Sequence, residues 1–304
     1  MDKINFKEKK ILVTGGNGYL GSKIIDRLIS LNATVFSIDI DHNINNPNIS
    51  SFNVNLLDQN KLNEAISEIN PSIIFHLAAL LDRSRDFFEV DKLIEVNFKG
   101  TINLLNSLQS CNYENFIFSS TSEVYEVKSG NNTLLVEDDS IVPNSPYSLS
   151  KYCAEKAIEV YSKTYSKNFT ILRLFNFFGL EMSEDFFLTE LINKLLNDKD
   201  FDMTLGEQRR DYLNINDVID GMLLATNKKA FNKIFNLCSG KGNKIKDIAL
   251  YLHNNINSKS KINFGALPYR KNEVWEMVGN NRKIRMELGF SPNLELDNIF
   301  KINK

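Results

Sequence analysis

Short apolar runs alternate with longer stretches in which apolar residues return every three or four positions, from Lys10 to about residue 174. The runs at 10–14, 33–38, 50–54, 72–76, 115–119 and 169–174 have strand length. Ile73-Ile74-Phe75 and Phe116-Ile117-Phe118 show no polar alternation, the mark of strands buried on both faces. The helical spacing predicts helices near 19–31, 59–69, 90–109 and 148–166. Strand and helix in repeated alternation predict a doubly wound α/β fold with a parallel sheet. Such sheets bind ligands beyond the carboxyl ends of their strands.

The rhythm changes after Gly179. A helical stretch from Glu184 to Leu196, a short run from Phe201 to Leu205, a helix from Ile215 to Thr226 and a strand from Lys233 to Leu237 precede a tail rich in Lys and Asn. Residues 179–304 therefore read as a smaller, substrate-covering region, with 211–238 returning to the main sheet. No internal repeat is visible.

Composition narrows the function classes. The chain has 304 residues with a net charge of -2, so it has no general attraction for nucleic acid or an anionic membrane. Cys111, Cys153 and Cys238 are odd in number and widely spaced, which argues against a disulfide framework or a zinc site. His42 and His253 lie in polar contexts and His76 ends an apolar run, so no metal site is expected, and His76 is expected to be packed. The opening MDKINFKEKK is polar and no apolar run has membrane-spanning length, so the cytoplasm is the expected location.

The chemistry begins at Thr14-Gly15-Gly16-Asn17-Gly18-Tyr19-Leu20-Gly21, between the first strand and the first helix. Glycine there permits a tight turn and close backbone approach, while the helix start offers unpaired N–H groups and a positive dipole end to a diphosphate. Asp39 ends the second apolar run about 20 residues on, where a ribose diol is held. No arginine follows in Ile40-Asp41-His42-Asn43, which favours NAD over NADP.

Tyr147 and Lys151, in Tyr147-Ser148-Leu149-Ser150-Lys151 after Pro146, share one helical face. A free tyrosine ionises near pH ~10, and a neighbouring ammonium together with a cationic nicotinamide ring favours the phenolate. Such a pair can take a proton from a sugar hydroxyl while hydride leaves the same carbon. The spacing is common by chance on surface helices, so its weight comes from its company. Ser119-Ser120-Thr121-Ser122-Glu123-Val124-Tyr125 puts hydroxyls at a strand's carboxyl end, where Thr121 can bond the reacting oxygen. A Ser/Thr-rich turn is the plainer reading of the same residues.

Together these segments resemble the extended short-chain dehydrogenase/reductase family, nucleotide-sugar epimerase/dehydratase type. Thr14 to Gly21, His76-Leu77-Ala78-Ala79, Asn97-Phe98-Lys99-Gly100-Thr101, Ser119 to Tyr125, Tyr147 with Lys151, and Arg173 to Gly179 occur in that family's order and approximate spacing. Arg210-Asp211-Tyr212 and Pro268-Tyr269-Arg270 resemble its contacts to the nucleotide sugar, so the likeness covers nearly the whole chain. It implies a Rossmann-type domain over 1–178 that holds NAD and a region over 179–304 that holds a nucleoside-diphosphate sugar. By the same resemblance, Gly15, Gly18 and Gly21 line the pyrophosphate, Asp39 holds the adenosine ribose, and Asp58 meets the adenine. Leu77, Ala78 and Ala79 pass beside the nicotinamide half, Lys151 bonds its ribose, and Tyr19, Leu20, Leu57 and Asn97 are further cofactor contacts. Asn176, Arg210 and Arg270 face the sugar nucleotide. The apolar positions Leu93, Val96, Leu104 and Leu105, with Ala154, Ala157, Ile158 and Tyr161, fit the family's four-helix contact, so a homodimer is expected.

Glu123 separates the possible reactions. In related 4,6-dehydratases a Thr-Asp-Glu or Thr-Ser-Glu triplet supplies acid and base, and Thr-Ser-Glu also occurs in uronate decarboxylases. Thr121-Ser122-Glu123 is the form here, whereas simple 4-epimerases and 4-reductases need no carboxylate. Against dehydration stand the short chain and Glu126 where the family has glycine. Against decarboxylation stands the lack of a basic residue in Glu181 to Phe187. Oxidation or reduction at C4 through a 4-keto sugar leads, ahead of dehydratase and then decarboxylase. A non-enzymatic dinucleotide sensor comes last, because Tyr147 and Lys151 are both present.

Overall fold

The computed structural model describes residues 6–41, 47–82, 86–126, 134–270 and 273–295. His42 and Arg83 to Arg85 lie outside them. The first half alternates as the apolar periods dictate: β1 (Lys10–Thr14), α1 (Tyr19–Ser30), β2 (Thr34–Asp39), β3 (Ile49–Asn53), α2 (Gln59–Ile69) and β4 (Ile73–His76). A long helix follows in three parts, α3 (Val90–Leu93), a π-helical segment (Ile94–Lys99) and α4 (Gly100–Ser107), then β5 (Asn115–Thr121), α5 (Pro146–Tyr165) and β6 (Phe169–Leu174).

The chain then builds β7 (Asn176–Phe178), α6 (Phe187–Leu196), β8 (Phe201–Met203), β9 (Arg209–Asn214) and α7 (Ile215–Leu224) before β10 (Lys233–Leu237). β11 (Gly242–Lys244), α8 (Ile245–Ile256), β12 (Ile262–Phe264), β13 (Glu276–Met277) and α9 (Arg282–Leu288) complete it. The seven-stranded sheet has the order β10-β6-β5-β4-β1-β2-β3, all parallel. This is a Rossmann-type α/β sheet. Of the 211–238 stretch, β10 pairs with β6 in this sheet, whereas β9 joins a second sheet with β7, β11 and β13.

Both faces of the large sheet are buried. Ile11, Val13 and Phe75 pack to one side with α1 and α7; Leu12, Ile74, Phe116 and Phe118 pack to the other with α2, α4 and α5. The unalternated strands follow from this, since every side chain meets a helix. A separate cluster around Leu191, Leu195, Phe201 and Ile248 forms the core of the smaller region.

Two departures from the predicted elements matter for the site. β5 runs on to Thr121 because Ser119, Ser120 and Thr121 pair with Leu172, Arg173 and Leu174 of β6, so these residues are strand, not turn. The helix at 90–109 widens into π geometry at 94–99, a form frequent at functional sites.

Candidate active site

The glycine turn is shaped by backbone meeting backbone. Gly15 has φ +74°, and a Cβ on it would lie 2.7 Å from the Ala78 nitrogen. A Cβ on Gly21 would lie 2.0 Å from the Gly15 oxygen. α1 starts beyond Gly18 with no side-chain cap, which leaves its first N–H groups to an anionic ligand. Asp39, at the end of β2, accepts from Asn17 N at 2.9 Å through Oδ2 and from Ile40 N at 2.7 Å through Oδ1. It thus braces the turn that it follows in sequence. Leu57 and Asp58 lie in the turn before α2, where Asp58 caps the helix by accepting from Lys61 N at 3.2 Å; that bond holds its carboxyl below the usual range.

A cleft of about 540 Å³ opens beyond the carboxyl ends of β5 and β6. Thr121, Ser122, Glu123, Tyr147 and Lys151 line it, and Asn176, Arg210 and Arg270 line it from the smaller region's side. Leu20 reaches it from the first turn of α1, and Leu77 and Ala79 from the turn after β4. The other expected cofactor residues, from Gly15 to Asp58, with Ala78 and Asn97, are not part of its lining.

Helix α5 presents the Tyr–Lys pair because of how it starts. Ser145 and Ser148 form a reciprocal capping box, and Pro146 sits at the first helical position with its φ already suited. Tyr147 and Lys151 then fall one turn apart on the cleft side. The Lys151 ammonium makes no hydrogen bond to a described residue and stands 4.1 Å from the centre of the Phe118 ring.

Here the electrostatics differ from the expectation that the lysine brings the phenol's pKa down. Burial pushes the Tyr147 phenol well above its ordinary value, and the Glu123 carboxylate acts in the same direction. Burial also brings Lys151 down to about 7, with Glu155 opposing. Within the protein alone, desolvation outweighs the charge of the pair.

Asn97, expected among the cofactor contacts, is buried and engaged by protein groups. Its Oδ1 accepts from Leu80 N at 2.7 Å, and its Nδ2 donates to Leu80 O and Ser150 Oγ, each at 2.9 Å. It ties the turn after β4 to α5, so Leu77 to Leu80 and Tyr147 share one frame.

Arg210, expected to face the sugar nucleotide, donates to Glu273 Oε1 at 3.0 Å and to Arg209 O at 3.0 Å. Arg270 is exposed at the cleft. The pair to Glu273 escaped the sequence reading because 63 residues separate its members.

The NAD dependent epimerase/dehydratase family description matches residues 11–238. The chain belongs to that family. It is 29% identical over 266 residues to the UDP-glucose 4-epimerase of Mycoplasma pneumoniae, covering 77% of this chain and 78% of that one. The UDP-glucose 4-epimerase of Thermotoga maritima, solved with UDP-glucose, superposes with a TM-score of 0.89 at 26% identity over 96% of both chains. The UDP-glucuronic acid 4-epimerase of Bacillus cereus, solved with UDP-glucuronic acid and NAD, gives 0.85 at 26% identity over 96% of both.

This family member is therefore an NAD-dependent enzyme of the nucleotide-sugar epimerase/dehydratase class. The residues present suit NAD: a side-chain-free backbone cradle at Gly15 and Gly21, a carboxylate at the end of β2, and a buried ammonium with no acceptor among the described residues. Among the described residues no group of His, Cys, Asp and Glu could hold a metal ion, and no helix is long and apolar enough to cross a membrane.

His76 is packed, as its apolar neighbours suggested. Its Nδ1 lies 2.7 Å from Thr14 Oγ1 and its Nε2 2.9 Å from Thr101 Oγ1. Thr101 spends its own proton on Asn97 O at 2.6 Å, so Nε2–H of a neutral imidazole must donate to Thr101. Burial, with Lys151 nearby, takes its pKa down to about 3. The unfolded chain binds this proton near pH ~6.5 and the folded chain does not, so the contribution present above that pH is lost as pH falls toward 3. His76→Gln, which cannot charge, is expected to lose about 2 kcal/mol less stability than the parent between pH 6.5 and 5, measured by urea unfolding at both pH values.

Proposed function

We propose that the enzyme transfers hydride at C4 of the sugar of a nucleoside-diphosphate sugar, through a 4-keto sugar, as a 4-epimerase or a 4-dehydrogenase/reductase. The observation that carries this reading is the convergence of Thr121, Tyr147 and Lys151 on one cleft with Arg210 and Arg270. A hydroxyl donor, a phenol and an ammonium sit where a sugar alcohol can be oxidised, and two guanidinium forks suit a diphosphate.

Tyr147 Oη takes the proton of the 4-hydroxyl, Thr121 Oγ1 donates to the same oxygen as its charge builds, and Lys151 offers the positive charge that favours the phenolate. NAD, held by the glycine turn and Asp39, would supply the hydride acceptor and a cationic ring to offset the burial and the Glu123 charge that hold the phenol protonated. Residues 1–178 bind NAD in this reading and 179–304 bind the nucleotide sugar. Asp39 selects NAD over NADP.

Dehydration across C5 and C6 is the second reading. Glu123 favours it, because its carboxylate lies in the cleft close enough to act on Tyr147. Glu123 also accepts from Ser145 Oγ at 3.4 Å, a supporting contact that the cap of α5 would want in any case. Decarboxylation ranks below it.

Incubation with UDP-, dTDP-, GDP- and CDP-sugars, following absorbance at 340 nm and product mass, tests the reading. Unchanged mass with inverted C4, or loss of two hydrogens, supports it. Loss of water transfers the assignment to the dehydratase, and no turnover of any nucleotide sugar removes it.

A cytoplasmic homodimer completes the proposal. Leu93, Leu104, Leu105, Ala154, Ile158 and Tyr161 are buried within the chain's own core, whereas Val96 and Ala157 of the same helices are only half-buried and remain available to a partner. Exposed apolar side chains remain just before α3, at Phe87 and Phe88, and on α5 at Val160. Light scattering at micromolar concentration is expected to give twice the 34.8 kDa chain mass, and a monomer peak rejects the dimer.

A further inference from the structure

One buried cluster beside the Tyr–Lys pair has no part in the chemistry above. Glu155 lies one turn beyond Lys151 on α5 and is fully buried, as is Arg173 on β6. Both oxygens of Glu155 are engaged by Arg173: Nε donates to Oε1 at 3.1 Å and Nη2 to Oε2 at 2.9 Å. Ser120 Oγ, next to Thr121 on β5, donates to the same Oε1. Arg173 also donates to Glu137 O at 3.0 Å and stacks 4.8 Å from the Tyr125 ring centre. The carboxylate therefore joins three elements, α5, β5 and β6, at the level where Thr121 and Lys151 enter the cleft.

A buried carboxylate and a buried ammonium one turn apart interact strongly because little water screens them. The charged and titratable groups facing Lys151 are Tyr147 and Glu155 on α5, His76 on β4, Arg173 on β6 behind Glu155, and Glu123 across the cleft. β5 presents Phe118, Ser119 and Ser120, which do not titrate in this range. His76 is neutral. Of the carboxylates, Glu155 is the one that acts on Lys151.

We propose that Glu155 is the positioning residue of the Tyr–Lys pair: clamped by Arg173 and Ser120, it keeps the Lys151 ammonium charged and seats α5 against the Thr121 end of β5. The balance is close, since burial pulls Lys151 down to about 7 even with Glu155 opposing it. Without its charge Lys151 would lose its proton lower in the pH range, and at physiological pH both its bond to the nicotinamide ribose and its effect on Tyr147 would weaken further. This inference rests on the role given to Lys151 in the proposed function.

The test is the affinity of the intact protein for NADH, followed by fluorescence from pH 6 to pH 9 with no sugar present. Glu155→Gln is expected to bind NADH within about twofold of the parent at pH 6 and about tenfold more weakly at pH 8, an acid shift of about one unit in the titration of Lys151. A purely structural role would weaken binding by the same factor at every pH, and parallel profiles would overturn the proposal. If Glu155→Gln does not fold, because Arg173 is left without its partner, Glu155→Asp carries the test. It keeps the charge but draws it back, and a smaller acid shift is expected, while a profile parallel to the parent's rejects the idea. Turnover of nucleotide sugars is not needed for either variant, so failure of the proposed function and failure of this inference are separately visible.

Discussion

Tyr147→Phe is expected to lower turnover of the true substrate by roughly 10³-fold while leaving NADH affinity within about threefold. The phenol's only loss is its oxygen, and the helix that carries it is held by the Ser145–Ser148 capping box, the Asn97 bond to Ser150 and the core contacts of Ala154 and Ile158. The fold and the cofactor cradle should be untouched. What disappears is the group that accepts the hydroxyl proton as hydride leaves. Because burial and Glu123 both hold this phenol above its ordinary range, the parent's turnover should rise with pH until Tyr147 ionises in the loaded enzyme. That rising limb should be absent from whatever activity the variant keeps. Survival of more than a tenth of the activity would mean that another group is the base.

Gly21→Ala is expected to cost more than any other single-methyl addition near the cofactor. Its Cβ would sit 2.0 Å from the Gly15 oxygen, 2.8 Å from Gly16 Cα and 2.9 Å from Gly15 C. All three are backbone atoms, so relief requires the turn itself to move, and the turn is what meets the pyrophosphate. Overpacking of this kind costs about 1–3 kcal/mol of stability. The loss of NAD affinity should exceed 100-fold, because displacement of about 1 Å removes several backbone N–H contacts together. Gly289→Ala is the control: its φ is +75°, and nothing lies within 4 Å of the added carbon. It should show backbone strain of about 1 kcal/mol and unchanged NAD affinity. Calorimetric titration of NAD with thermal unfolding of both variants separates the effects, and equal NAD affinities would dismiss the cradle.

Edge strand β3 (ISSFN) carries a weaker signal, but the large sheet was legible in the chain because its inner strands β1, β4, β5 and β6 are sandwiched, so each shows an apolar run with the right length and spacing. Lys233–Leu237 was visible for the same reason. Past it, legibility fell. The tail contains α8, β12, β13 and α9, whose strands are two or three residues long and edge-exposed, leaving almost no periodic signal. Helix α6 starts at Phe187, three residues later than its pattern suggested, because Ser183 and Asp185 bond locally in the preceding turn. Tyr19 offers a similar lesson. The resemblance names it a cofactor contact, and the structure adds a bond from its hydroxyl to Leu180 O at 2.8 Å, 161 residues away, which no local pattern could announce.

The sequence by itself determined the parallel α/β class, the glycine turn with its acidic partner 18 residues beyond Gly21, and the Tyr–Lys pair on one helical face, since each depends on a short-range period or spacing. Tertiary structure alone decided the electrostatics. Whether Lys151 is charged, whether Tyr147 is easily ionised and whether Arg210 is free or paired to Glu273 depend on burial and on groups far apart in the chain. Burial also turned most of the apolar positions on the two helices, Leu93, Leu104, Leu105, Ala154, Ile158 and Tyr161, into the chain's own core. Spacing along a chain specifies which atoms are near one another within an element, but the energy of a charge is set by the water that folding removes from around it.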